Sequence, residues 1–404
     1  MKFLKNNNKL NNINLTNCSK CVLDSQTPKI NLVLDENGVC NNCNKYDYFV
    51  SKNIVGLSYD DKERRLNQLV EKIKKAGKGK KYDCILGISG GMDSAYLALR
   101  AHELGLHPLV VHFDNGWNSE LAVKNIYNII TKLNYDLHTY VINWEEFKDI
   151  QLSYFKASVI DIEVPTDQFI YATLYEIAYE KGIRYILDGN NIETEFWGGS
   201  WKWSYDKLDL ENLQNIHKKF GSIKLTKYPK LGKFQRYFYN TIVGIESAYL
   251  LNYLPYNRAE VINTLENEFG WQDPGGKHYE SIFTRFYQGY ILPNKFGIDK
   301  RKAHLSNLIW SGQITRDEAL VILEKPTYDI NLQQIDKEYI IKKWNLSDVE
   351  FEEIMNLPVV SHEFYGTDEM IEKRFRLFVK LVETFPGRVV LFGLKKIKVI
   401  RSLY

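Results

Sequence analysis

Between residues 59 and 189 the chain switches repeatedly between a helical and a strand-like hydrophobic pattern. Residues 59–77 place apolar side chains at helical spacing among charges and end at Gly77, which predicts an amphipathic helix. A nearly continuous apolar run at 82–88 predicts a buried strand, and a helical stretch at 93–105 follows, ending near Gly105. The pattern repeats with a strand at 108–113, a helix at 119–133 and a strand at 137–142. A helix at about 166–181 and a strand at 184–188, closing on Asp188-Gly189, complete the series. Strand then helix, repeated, implies an α/β fold with a parallel sheet and right-handed crossovers. Ligands of such sheets sit at the carboxyl ends of the strands. Ser89, Asp114 and Gly189 all stand at such ends. From about residue 205 the pattern changes to helices and aromatic-rich loops. The chain thus divides into residues 1–58, 59–204 and 205–404.

The first strand runs into Ser89-Gly90-Gly91-Met92-Asp93-Ser94, with a helix directly behind it. Paired glycines let the backbone turn tightly and bring its N–H groups against an anion. The helix start points its positive dipole end at the same place. Ser89 and Ser94 add hydroxyl donors. Asp93 belongs in an anion site only if a cation stands between it and the phosphate, so the expected ligand is a pyrophosphate group held with Mg²⁺. No Lys follows the glycines, which excludes the Gly-x4-Gly-Lys-Ser/Thr loop.

Upstream, Cys18-Ser-Lys-Cys21 and Cys40-Asn-Asn-Cys43 form two Cys-x2-Cys pairs with 18 residues between them. That spacing predicts a four-thiolate Zn²⁺ site, structural because four thiolates leave no open position for water. An iron–sulfur cluster is the other reading. Residues 30–38 read as a strand and turn, as in a zinc ribbon, and residues 1–16 are Asn-rich and expected to be loose.

Composition narrows the picture only at a few points. Net charge is +3 over 404 residues, which gives no push towards a nucleic-acid partner. No apolar run approaches the roughly 18–20 residues of a membrane span, and the Asn-rich start lacks the apolar core of a signal peptide. A cytoplasmic protein without membrane insertion is expected. With five cysteines, a secreted disulfide framework would leave one thiol over.

The Ser-Gly-Gly-x-Asp-Ser pattern resembles the PP-loop of the ATP-pyrophosphatase superfamily, whose members split ATP into AMP and pyrophosphate. Val110–Gly116 resembles the superfamily segment lining the adenine and ribose pocket, which implies nucleotide contacts at His112, Phe113 and Asp114. By strand period His112 is read as a histidine held in the sheet rather than as a catalytic one. Gly189-Asn190-Asn191-Ile192-Glu193-Thr194-Glu195 stands where relatives carry an acidic Mg²⁺ ligand, often within Gly-x-x-x-Asp-Asp. Gly189 and Asn190 are expected on the nucleotide, and Glu193 is expected to share Mg²⁺ with Asp93. The plainer reading makes Glu193 and Glu195 helix-capping acids.

The whole of residues 17–385 resembles the N-acetyl sugar amidotransferases of bacterial surface-polysaccharide biosynthesis. Beyond the cysteines and the loop, the resemblance rests on Trp271-Gln-Asp-Pro-Gly-Gly-Lys-His-Tyr-Glu-Ser281 and Phe296-Gly-Ile-Asp-Lys-Arg-Lys-Ala-His304. It implies a zinc-ribbon-like N-terminal domain, a PP-loop ATP-pyrophosphatase (adenine nucleotide α-hydrolase-like) domain and a mainly helical C-terminal region completing the cleft. Lys277, His278, Glu280 and Arg285 become substrate residues. Lys300 and Arg301 are expected near the α-phosphate, although such a charge run is usually a solvated face. The implied reaction turns an acetamido group of a sugar, free or nucleotide-linked, into an acetamidino group at the expense of ATP. No Gly-x-Cys-x-Gly elbow is present and Cys84 lies inside the first strand, so ammonia is expected from a separate glutaminase, with an ammonia-channel protein as a further partner. The alternative is a PP-loop tRNA thiolation enzyme. Those generally need a cysteine beyond the loop, and none follows Cys84 here.

Overall fold

The computed structural model describes residues 17–196, 199 and 201–369. The loose start expected for residues 1–16 and the packing of residues 390–404 lie outside the described residues. After α1 (Asn41–Lys52) and α2 (Tyr59–Gly77) come β1 (Cys84–Ile88), α3 (Met92–Glu103), β2 (Pro108–Asp114), α4 (Glu120–Leu133) and β3 (Leu137–Val141). Then follow α5 (Trp144–Lys156), α6 (Val164–Glu180), β4 (Tyr185–Leu187), α7 (Leu210–Phe220), α8 (Lys233–Tyr237) and β5 (Glu246–Ala248). The described chain continues with α9 (Arg258–Phe269), α10 (Ile282–Phe286), α11 (Leu292–Phe296), α12 (Arg301–Trp310), α13 (Arg316–Glu324), α14 (Ile330–Trp344) and α15 (Asp348–Met355). No described helix is long and apolar enough to cross a membrane.

The five strands form one parallel sheet in the order β3-β2-β1-β4-β5. The chain steps outward from β1 through β2 to β3, then crosses to the other side of β1 for β4. The carboxyl end of β1, where the Ser-Gly-Gly loop begins, is therefore the switch point at which such sheets open a crevice. Both faces are covered. Cys84, Leu86, Ile88 and Val110 pack against α2, α3, α4 and α9. Ile85, Leu109, Val111 and Phe113 pack against α5 and α6 and the helices of the C-terminal region. Burial on both faces explains why β1 and β2 read as continuous apolar runs rather than alternating ones.

Two elements depart from the expected pattern. Helix α5 went unrecognised because its inner face carries polar groups: Glu146, Asp149, Gln151 and Ser153 are all buried. These groups tie the C-terminal region to the sheet. Glu146 accepts from the N–H groups of Thr226, Lys227 and Tyr228, and Asp149 accepts from Ser222 and Ile223. Strand β5 lies in the stretch expected to be helical. It has three residues, too few to show a period.

The four cysteines meet at one buried point, with every sulfur within 4.8 Å of the others. Cys18–Cys43, Cys21–Cys40 and Cys40–Cys43 are 3.7, 3.7 and 3.6 Å apart, with no disulfide. Those spacings are close to the edge of a tetrahedron with Zn–S bonds of about 2.3 Å, so the donor set fits a zinc ion. The N–H groups of Lys20, Cys21 and Cys40 donate to the Cys18 sulfur, and the Trp310 indole donates to Cys43. Around this point Tyr46 meets Phe196 edge-on at 5.3 Å and Trp310 at 5.4 Å. The cysteine knuckle thereby braces α12 and the loop after β4. Cys43→Ser is expected to lose most of its zinc and to melt about 5 °C lower or more. Metal analysis together with a thermal melt checks this, and unchanged zinc content would refute it.

Candidate active site

The loop after β1 is shaped by close approach. Gly90 has φ +83°, and a Cβ there would stand 2.5 Å from the Ala122 carbonyl oxygen, so only glycine fits. The Gly90 carbonyl accepts from the Trp271 indole at 3.0 Å and the Asn125 amide at 3.3 Å. Asn125 also holds the main chain of Gln272 through both its amide groups, at 2.9 and 3.0 Å. Inside the loop, Gly91 N–H donates to Ser89 Oγ, and Ser89 N–H donates to Ser94 Oγ, each at 3.2 Å. Helix α3 starts immediately behind, so its N-terminus faces the same crevice.

A half-buried network of charges, with Glu195 at its buried end, closes over this loop. The Lys277 ammonium sits between Asp93, at 2.8 Å, and Glu195, at 3.1 Å, and also donates to Thr194 Oγ1. Asp93 accepts in addition from the Tyr256 hydroxyl and the Asn191 amide. His278 Nε2 contacts Glu195 at 3.0 Å, and its other ring nitrogen lies 3.9 Å from Glu280. Glu280 reaches the loop itself, accepting from Ser89 Oγ at 3.2 Å. Burial alone would raise Glu195 and lower Lys277. The ammonium and imidazole hold Glu195 well below the carboxylate range, and the two carboxylates push Lys277 up. Burial pulls His278 down, yet Glu195 and Glu280 outweigh it and push it up to about 9. His278 also has φ +63°, a strained backbone for a side-chain-bearing residue. Together these residues line a cleft of about 190 Å³ that includes Ser89, Gly91, Asp93, Ser94, Gly189, Asn190 and Arg258.

The expected residues fall into two groups. Ser89, Gly91, Asp93, Ser94, Gly189, Asn190, Lys277, His278 and Glu280 line the cleft, and Gly90 sits under it. Others are placed differently. Glu193 was expected beside Asp93, but its field is felt by Tyr46 and it feels Lys62, on the cysteine-knuckle side. The turn after β4 instead delivers Glu195 to the cluster, because Asn191 bonds both Asp93 and Thr194 and so fixes the phase of the turn. Arg285 forms a two-pronged pair with Asp336 at 2.9 and 2.8 Å, tying α10 to α14. Arg301 is held by Asp299 and donates to the carbonyls of Ile322, Lys325 and Pro326, closing the end of α13. Lys300 has no hydrogen bond or ion pair among the described residues and feels Asp161, Glu163 and Glu195.

On β2 the side chains serve the sheet. His112 bridges the Ile88 carbonyl and the Asn118 amide, each at 3.1 Å, and Phe113 packs edge-on against Phe169. Asp114 accepts from Gly116 N–H at 2.9 Å. Asn125, Asn191, Thr194, Tyr256 and Trp271 were not singled out from the sequence. Each acts by holding a loop residue rather than by a recognisable motif, so the signal was absent.

Asp93 and Glu195 are oxygen donors of the kind a hard divalent cation takes, but the Lys277 ammonium stands between them, and among the described residues only the four cysteines gather closely enough to share an ion. Because the folded pKa of His278 lies above its ordinary value, its contribution to stability is complete below about pH 6.5 and is lost as pH rises through about 9. His278→Gln is expected to flatten the fall in denaturant midpoint between those pH values. An unchanged slope would show that His278 is not charged in the folded protein.

Residues 280–381 match the family model described as "LPS biosynthesis protein WbpG-like, C-terminal domain". An uncharacterised protein, MJ1599, of Methanocaldococcus jannaschii is 28% identical over 183 residues, which is 43% of this chain and 59% of that protein. The NH3-dependent NAD synthetase of Campylobacter jejuni aligns with 75% of this chain and 99% of its own, at 12% identity and a TM-score of 0.28. The NMN synthetase of Francisella tularensis aligns with 75% and 98%, at 14% identity and a TM-score of 0.29. The matched segment begins at Glu280, the residue that reaches Ser89 of the loop after β1, and it is similar to the C-terminal domain of the WbpG-like family.

Proposed function

We propose that this chain is an AMP- and pyrophosphate-forming amidotransferase that converts the acetamido group of a sugar into an acetamidino group. The product would feed lipopolysaccharide O-antigen or nonulosonic acid assembly. One observation carries the reading: the Lys277–Glu280 segment closes on the Ser89–Ser94 loop at two points, Lys277 on Asp93, 184 residues away, and Glu280 on the Ser89 hydroxyl, 191 residues away. The WbpG-like match over residues 280–381 supports the biosynthetic setting.

An amide carbonyl is a poor electrophile. Attack of its oxygen on the α-phosphorus of ATP expels pyrophosphate and leaves an O-adenylyl imidate, whose carbon ammonia can attack with loss of AMP. The N–H groups of the loop, the Ser89 and Ser94 hydroxyls and the α3 N-terminus hold the departing pyrophosphate. Lys277 supplies positive charge beside it. Asp93 and Glu195 would hold Mg²⁺, which neutralises phosphate charge when bound.

Ammonia is proposed to come from a separate glutaminase, delivered through a channel protein or directly. All five cysteines are buried; four share the thiol cluster, and burial pushes the Cys84 thiol up, away from nucleophilic use.

The test is release of AMP and pyrophosphate from Mg²⁺-ATP with ammonium chloride and a panel of acetamido sugars, with the sugar followed by mass spectrometry. Exchange of one oxygen for NH with stoichiometric AMP is expected, and AMP release that needs tRNA and a sulfur donor would overturn the reading. In the same assay Lys277→Met is expected to lower kcat by about 100-fold or more. Strong glutamine-dependent turnover by the purified chain alone would remove the separate glutaminase.

A further inference from the structure

Of the three cationic side chains that line the cleft among the described residues, two are committed to carboxylates. Lys277 stands between Asp93 and Glu195, and His278 rests on Glu195. The third, Arg258, is held loosely. Its guanidinium meets Asp273 through a single contact, Nη2 to Oδ2 at 3.1 Å, and its Nε and Nη1 make no hydrogen bond among the described residues. The Arg258 side chain is 41% exposed, so water screens this pair and a ligand can reach it. Arg285, gripped by both oxygens of the buried Asp336, is the contrast.

The main chain fixes both members of the pair at the cleft. Arg258 N–H donates to Gln313 Oε1 at 2.7 Å, and Asn257 caps α9 just ahead of it. Two residues earlier, the Tyr256 hydroxyl donates to Asp93 at the start of α3. Asp273 is anchored in the same way. Two residues before it the Trp271 indole donates to the Gly90 carbonyl, and Asp273 Oδ1 accepts from Gly275 N–H at 2.9 Å. The pair thus hangs from residues that grip the loop after β1, and it lines the same cleft as Ser89 and Ser94.

A guanidinium is a planar fork of N–H donors that matches two phosphate oxygens at once. The cleft also carries Asp93, Asp188, Glu195 and Glu280, so a polyphosphate needs a cation that its carboxylate can release cheaply. An exposed pair with one contact contributes little to stability, whereas moving Lys277 would leave two carboxylates facing one another. We propose that Arg258 grips the pyrophosphate end of ATP and that Asp273 competes with it for the same guanidinium. Phosphate oxygens take the fork while ATP is bound. Return of Asp273 to Arg258 after the reaction favours departure of pyrophosphate. This assignment rests on the AMP- and pyrophosphate-forming part of the proposed function and holds whichever acceptor is adenylylated.

Calorimetric titration of the full chain with pyrophosphate and, separately, with AMP, both in magnesium chloride, tests the assignment. Arg258→Met is expected to weaken pyrophosphate about tenfold or more and to leave AMP within about twofold. Asp273→Asn keeps an acceptor for Gly275 N–H but removes the competing charge, and it is expected to tighten pyrophosphate about threefold. That gain is expected to vanish in the double variant Arg258→Met/Asp273→Asn, because Asp273 acts through Arg258. Pyrophosphate affinity within about twofold of wild type in Arg258→Met, or an equal loss for AMP, overturns the grip. No gain in Asp273→Asn, or a gain that persists in the double variant, overturns the exchange. Wild-type chain that binds neither pyrophosphate nor ATP overturns the pyrophosphate-forming reading and this assignment with it. Wild-type chain that binds pyrophosphate yet turns over no acetamido sugar overturns the amidotransferase reading alone.

Discussion

The Lys277 ammonium held between Asp93 and Glu195 is the interaction on which the site depends. Two carboxylates brought close together repel one another and lose hydration, and a cation between them offsets both costs. Asp93 comes from the start of α3, Glu195 from the turn after β4, and Lys277 from the loop after α9. The ion triad therefore joins the PP-loop, the far side of the sheet and the C-terminal region at a single point. It also fixes the Asp93 side chain, with the Tyr256 hydroxyl and the Asn191 amide on its other oxygen.

The supports of this triad lie outside the crevice. Phe196, next to Glu195, packs on Tyr46 and Phe49 of α1, and α1 carries Cys43 of the thiolate cluster. A metal there would position Glu195 through packing, without touching the reaction. On the opposite side, Trp271 and Asn125 pull on the Gly90 carbonyl, so the segment bearing Lys277 and the loop it covers are hydrogen-bonded to one another directly. The cleft is thus braced from both ends of the chain.

Much of this was legible in the sequence, for physical reasons that particular residues make clear. β1 and β2 are buried on both faces and so show as apolar runs, and Gly90 is irreplaceable where Ala122 approaches, so the loop motif survives intact. The cysteine spacing likewise encodes a geometry. What escaped detection are elements whose polar groups face inward. Helix α5 buries Glu146 and Asp149 to hold the N–H groups of the 222–228 loop, which erases its amphipathic signature. The choice between Glu193 and Glu195 turns on the phase of one turn, and that phase is set by Asn191, which bonds Asp93 from 98 residues away.

Cationic residues show the same limit more sharply. Arg285, Lys300 and Arg301 look alike in a sequence, as charges near one motif. The structure separates them by what they already hold. Arg285 is matched by the buried Asp336, and Arg301 by the half-buried Asp299 and by carbonyls at the end of α13, so moving either towards a substrate would break an existing pair. Lys300 has nothing to give up among the described residues. What a cation already holds, rather than its nearness to a motif in the sequence, therefore decides whether it is free to meet a ligand, and that is visible only once the chain is folded.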